Sequence, residues 1–478
     1  MSIVRRIAYN TVFSTGARVC GVALSLISLG IIARYLGKEE FGSYSLILAF
    51  LYTFDNLADL GLYSLMIKEI SRPGADERKI VSNIFSLRIF ALLIFLGIAS
   101  IIIWFFPYPL QVKIGTLIAV ISFLFLSMGQ VLMGIFQKYL RTDKAAIADI
   151  SGRIIQLGLI LIFINLNLGL YGIIFALIGG CFINFALLFC FARQYVCFSL
   201  QFDFNYWKNL IKTTLPIAVS IVFTLIYFKI DSIFLSLPII NSHSPNPMAD
   251  VGIYNIAYKI LEGLIFFPAV LIGLIMPLLS HSAFSDPERF KKIFQKALDV
   301  LIIFIIPLLV GLLILAEPIV VLVGGRDFSL SAAVLQILSF AIGLIFLGNL
   351  WGNSIIALNK QKSGAWIYFA GMIFNIVTNL IFIPKYRYLG AAATTLATEF
   401  LVTILMMILI HRTINYSPKF NIFKPIFAGI FMAVFLWIFK DWNIFILVGL
   451  GIIIYFVVLY LIKGIKKEEI MLLVKKEV

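Results

Sequence analysis

The sequence predicts an all-α polytopic membrane protein of about fourteen transmembrane helices, in two pseudo-symmetric six-helix lobes plus two C-terminal helices. Three observations predict it. Hydrophobic residues make up 62% of the 478-residue chain and charged residues 13%, against about 45–50% and about 25% in globular proteins. Apolar runs long enough to cross a bilayer recur from end to end. A short motif recurs in the same order half a chain later.

The apolar runs place spans near 11–35, 41–66, 81–106, 110–136, 145–165 and 169–192 in the first half. The second half gives 211–237, 250–280, 296–316, 331–358, 363–383 and 388–410, then 422–439 and 443–462. Loops on the N-terminal side carry 26 Lys and Arg, and the opposite loops carry 7. This asymmetry places both termini in the cytoplasm of a multi-pass inner-membrane protein. It also accounts for the net charge of +15 without nucleic acid as a partner. The N-terminus shows no cleavable signal sequence. Four cysteines without CxxC spacing and three scattered histidines give no metal site or cofactor.

The internal repeat is acid–apolar–Gly–x–Tyr. Glu40-Phe41-Gly42-Ser43-Tyr44 opens span 2, and Asp250-Val251-Gly252-Ile253-Tyr254 opens span 8, about 210 residues later. Six spans followed by six in the same orientation form a parallel repeat. The expected organisation is an N-lobe over 1–193 and a cytoplasmic linker over 194–210. A C-lobe follows over 211–413, then spans 13–14 with a cytoplasmic tail over 414–478. The aromatics of the linker suit an amphipathic helix on the membrane surface.

Span 1 carries a polar stripe: Thr11, Ser14, Arg18, Gly21, Ser25 and Ser28 share one helical face. Span 7 carries Thr213, Ser220, Thr224, Tyr227 and Asp231 on another. As equivalent helices of two lobes, they are candidates for facing walls of one cavity; small polar residues packing between helices is the structural alternative. Five cations lie inside spans: Arg18, Arg88, Arg153, Lys229 and Lys259. Arg153 has Asp149 four residues before it, and Lys259 has Glu262 three residues after it, so local pairing competes with function there. Arg88, near a span end, is expected to snorkel. Asp55 and Asp59 sit one turn apart in span 2. They either bind H⁺ or Na⁺, or neutralise Arg18 or Arg34 on the neighbouring span.

The run Ile31-Ile32-Ala33-Arg34-Tyr35-Leu36-Gly37-Lys38-Glu39-Glu40-Phe41-Gly42-Ser43-Tyr44 resembles the N-terminal signature of Wzx-type polysaccharide flippases. These are transporters of the multidrug/oligosaccharidyl-lipid/polysaccharide exporter superfamily. Tyr227-Phe228-Lys229-Ile230-Asp231-Ser232-Ile233-Phe234-Leu235 and Val251-Gly252-Ile253-Tyr254 are similar to the family's second-lobe entry. With the span count and length, the resemblance covers essentially the whole chain. It implies a V of two lobes around a cavity and alternating access. The implied cargo is a polyprenyl-pyrophosphate-linked oligosaccharide, flipped to the outer leaflet, with membrane lipids and glycan polymerase or assembly proteins as partners.

A mid-membrane diphosphate needs cations, and Arg offers a planar fork to two oxygens. The substrate candidates are therefore Arg18, Ser14, Ser25, Lys229, Thr224, Tyr227, Lys259 and Arg153, with Asp55, Asp59 and Asp231 as candidates for ion coupling. Two other readings compete with this one. A cation-coupled multidrug exporter of the same fold would favour carboxylates and aromatics over isolated cations. A membrane glycosyl polymerase or ligase would need a sizeable outer loop, and the longest, 238–249, lacks paired acids. The expectation is a transporter, not an enzyme.

Overall fold

The computed structural model describes residues 3–59 and 61–464. The side chains of residues 3–15, 64, 213, 215–222 and 224–226 lie outside the described residues. Among the predicted positions this takes out Thr11, Ser14, Thr213, Ser220 and Thr224.

The described chain is helical from end to end, as bilayer insertion requires: every backbone N–H and C=O must be satisfied within its own segment. The helices run α1 (Ile3–Asp59), α2 (Leu62–Ile70), α3 (Glu77–Ile102), α4 (Leu110–Lys138), α5 (Thr142–Asn165), α6 (Gly169–Ala192) and α7 (Phe204–Ser236). They continue as α8 (Pro247–Ser285), α9 (Pro287–Ile314), α10 (Ala316–Gly324), α11 (Ser331–Ala357), α12 (Gln361–Ile414), α13 (Phe423–Ile438) and α14 (Ile444–Leu461). Ten helices among the described residues are long and apolar enough to span a bilayer. Two of them, α1 and α12, are broken and each supplies two spans. With α7 and the shorter α13 the chain reaches the fourteen spans read from hydropathy.

The two breaks differ in kind. In α1 the chain turns at Gly37, with φ 67° and ψ 177°, a conformation that glycine adopts without steric cost. In α12 it turns at Arg387, with φ 55° and ψ −131°, which is costly for a residue with a Cβ. Arg387 is held there by a forked ion pair to the fully buried Asp250: Nε lies 2.8 Å from Oδ2, and Nη2 bonds Oδ1.

The chain divides into two compact units: residues 1–255 with 383–387, and residues 256–382 with 388–478. In the first, α4, α5 and α6 pack together and α1 lies against α3, α4, α5 and α7. An apolar cluster at one end gathers Leu62, Met66, Phe85, Phe136, Phe198 and Trp207. The two copies of the repeat motif meet here. A Cβ on Gly42 would fall 1.8 Å from the carbonyl oxygen of Met248, and one on Gly252 would fall 2.0 Å from that of Lys38. The helices cross backbone to backbone, which only glycine permits. In the second unit α9 packs on α11 and α13, and α13 on α14, around Leu315, Met432, Leu436 and Tyr455.

The segment expected to form an amphipathic surface helix is helical only in part: residues 204–210 open α7, and those before them do not join it. Residues 196–203 are extended, and α7 begins at Phe204. The cause lies in α3, whose Ser82, Ser86 and Asn83 accept hydrogen bonds from the backbone N–H groups of Ser199 (3.1 Å), Gln201 (2.9 Å) and Asp203 (3.2 Å). Donors at every second residue are met by side chains, so the strap needs no helical bonds of its own.

Candidate functional site

On α1, Tyr52, Asp55 and Asp59 fall at i, i+3 and i+7 and so share one face. Arg88 of α3 reaches that face. Its Nη1 lies 2.9 Å from Asp59 Oδ1 and its Nη2 lies 3.6 Å from Asp55 Oδ1, while Nη2 also donates to Ser127 Oγ on α4. Arg88 is 1% exposed, Asp55 2% and Asp59 18%. Burial rules out snorkelling for Arg88. A guanidinium cannot be left in this interior without counter-charge, and the two carboxylates supply it. The cation seen on both acids is Arg88, which sequence reasoning had not paired with them.

One turn away, Lys229 Nζ sits 5.6 Å from the centre of the Tyr52 ring, close enough for attraction by the ring's quadrupole. Tyr52 packs edge-on against Phe123, with centroids 4.9 Å apart.

A second polar group forms between α1 and α5. Arg153 Nε donates to Asp149 Oδ2 at 2.9 Å, and Nη1 donates to Ser25 Oγ. The pair nests against Gly21, where a Cβ would lie 3.2 Å from Asp149 Oδ2 and 3.3 Å from Arg153 Nε. Unlike Arg88, this pair is half open: Arg153 is 37% exposed and Asp149 43%. Arg18, also on α1, is exposed, and its charge acts on the Tyr63 hydroxyl. That hydroxyl accepts a 2.5 Å hydrogen bond from Gln137 Nε2.

Tyr227 is buried and stacks on Phe228, with centroids 4.4 Å apart. Asp231 is buried and accepts a 2.8 Å hydrogen bond from Tyr254. Lys259 pairs with Glu262 at 2.6 Å on α8, within the second unit. That unit has a buried polar cluster on α12. Asn379 Nδ2 donates to Asn375 Oδ1 (3.0 Å), Asn375 Nδ2 donates to Thr398 Oγ1 (3.3 Å), and Glu399 is buried beside Thr398 in sequence. Ser14 and Thr224 lie outside the described residues.

Sequence reasoning therefore missed Ser127, Gln137 and Tyr254, and misplaced Arg88. Arg88 has no acid at i±3 or i±4 to mark it, and the other three are uncharged. What the arrangement offers chemically is a half-open guanidinium, Arg153, between α1 and α5, an exposed Arg18 on α1, and a separate ionic triad around Arg88. It is equipped to hold an anion and, separately, to shelter a charge.

Residues 7–283 match the model of a family described as polysaccharide biosynthesis protein. The chain is similar to the probable low-salt glycan biosynthesis flippase Agl15 of Haloferax volcanii, 23% identical over 79% of this chain and 78% of that one. It is also similar to the capsular polysaccharide biosynthesis protein CapF of Staphylococcus aureus, 25% identical over 81% and 95%. Among solved structures it shares its fold with the lipid II flippase MurJ in an inward closed conformation, at a TM-score of 0.76 and 17% identity, over 94% of this chain and 98% of that one. An inward-facing MATE multidrug resistance transporter aligns at a TM-score of 0.66 and 13% identity, over 85% and 98%.

Proposed function

The chain belongs to the polysaccharide biosynthesis protein family, and on that premise we propose that it flips a polyprenyl-diphosphate-linked oligosaccharide from the cytoplasmic to the outer leaflet. The observation that carries the reading is the 37%-exposed guanidinium of Arg153 on α5, held by Asp149 and by Ser25 of α1, with Arg18 exposed on α1. A charge there is expensive unless it meets an anion, and arginine matches two phosphate oxygens at once. Lys229 over Tyr52 adds a point charge further along the same unit.

The 6+6+2 organisation over 1–193, 211–413 and 414–478 suits alternating access, with the repeat supplying two related halves. Ion coupling is assigned to the Asp55–Asp59–Arg88 triad. Two carboxylates face one guanidinium, so a bound H⁺ or Na⁺ brings the group to neutrality and its departure leaves a buried excess charge. Asp59, the more exposed acid, is the port for that ion. Asp231, held by Tyr254, and Lys259, held by Glu262, are secondary candidates. The flipped glycan would be handed to polymerase or assembly proteins on the outer side.

Purified protein in proteoliposomes tests this. A fluorescent polyprenyl-diphosphate sugar should become accessible to an external quencher at a rate that follows an imposed pH or Na⁺ gradient. A second reading, a multidrug exporter, draws support from the likeness to the MATE transporter's fold. It gains if organic cations move under the gradient while the diphosphate lipid does not.

A further inference from the structure

The half-open Arg153 poses a problem that the fully buried Arg88 does not. A flippase presents its cargo site in two conditions, occupied and empty. With a diphosphate bound, Arg153 has its counter-charge. Without one, an isolated guanidinium at membrane depth would cost several kcal/mol, and the empty carrier would have to bear that cost on its return.

The structure holds an answer on the same helix. Asp149 takes Arg153 Nε at 2.9 Å, one helical turn away, and Ser25 takes Nη1. The second terminal nitrogen, Nη2, takes part in neither bond. The carboxylate therefore fixes the plane of the guanidinium through its inner edge and leaves the outer edge for a ligand. With 43% exposure, Asp149 can be rehydrated when an incoming anion displaces it. Gly21 leaves room for the exchange, since a Cβ there would press on both partners.

We propose that Asp149 is a positioning residue that acts as an internal stand-in for the diphosphate. It neutralises Arg153 in the empty carrier and competes with cargo for it in the loaded one. This rests on the diphosphate reading above. The competition weakens binding and speeds release and return.

The test uses full-length protein in lipid nanodiscs and proteoliposomes. Binding is measured with farnesyl diphosphate, with farnesol as the uncharged control. Turnover is measured as the flipping rate of a fluorescent polyprenyl diphosphate. Asp149→Asn should bind farnesyl diphosphate about fivefold to tenfold more tightly, or roughly 1–1.4 kcal/mol, yet flip about tenfold more slowly. Asp149→Glu should stay near wild type in both. Parallel weakening of binding and flipping, or no change in either, overturns the proposal. If Asp149→Asn is not recovered folded, Asp149→Ser carries the same two readouts. Failure of both neutral variants to fold beside a folded Asp149→Glu would also overturn it, in favour of a purely structural ion pair. Wild-type protein that binds farnesyl diphosphate no better than farnesol would instead defeat the underlying functional reading.

Discussion

The first unit keeps ionised side chains inside the membrane, while the second relies mainly on amides and hydroxyls. In the first, Arg88 is wedged between Asp55 and Asp59, Arg153 leans on Asp149, and Lys229 stands over Tyr52. In the second, apart from the local Lys259–Glu262 pair and Glu399, the central contacts run Asn379 to Asn375 to Thr398. Buried ions cost more than amides and stabilise no better than a well-packed apolar core. Under the proposed function, their concentration in one unit assigns charged cargo and coupling ions to it.

The largest effect should come from Arg88→Leu, which strands the buried Asp55 and the half-buried Asp59. A loss of about 3–5 kcal/mol is expected, read as a collapse of the thermal transition in detergent. An unchanged transition would remove the basis of the contrast. Next, Arg18→Ala should cut flipping about a hundredfold, or roughly 2.7 kcal/mol, while the protein still inserts. Lys259→Gln in the second unit should change the rate far less, and equal losses would show that charge placement is not functional. Third, Asp59→Asn should lower flipping about tenfold and flatten its dependence on the imposed gradient. A retained gradient response would return the acid to structural duty. The smallest effect is expected from Asn379→Ala, about 0.6 kcal/mol, typical of interhelical hydrogen bonds in membranes. A loss of several kcal/mol there would make the second unit's cluster as demanding as the triad.

Local features of this site were legible in the sequence; long-range ones were not. Asp149–Arg153 and Lys259–Glu262 stood out because helix geometry alone brings i,i+4 and i,i+3 residues together. The spans followed from hydropathy and the breaks from short polar interruptions. Arg88 could not be paired from sequence, since its partners lie about thirty residues away across a turn and which face α3 presents is decided by packing. The strap over 196–203 was misread for a related reason. Its aromatics fit either an amphipathic helix or a chain pinned to a neighbour, and the pins, Ser82, Asn83 and Ser86, lie more than a hundred residues earlier. The Gly42–Gly252 crossing was visible as a repeat, but not as a contact.

The strap has a counterpart. In the second unit Gln295 of α9 accepts from Lys419 N (2.9 Å) and donates to its carbonyl (2.7 Å), and Asn421 Nδ2 bonds Asp299 (2.9 Å). Gln295 and Asp299 follow Asn83 and Ser86 at nearly the offset that separates the two glycine motifs. In both places much of the grip is on backbone, which every amino acid except proline carries alike. Evolution is then free to rewrite the gripped segment while its course stays the same. Related chains should agree on the path of these exits more than on their letters. A loop-inserted tag or fluorophore there should be judged by whether it lets the clamp close, not by which residues it replaces.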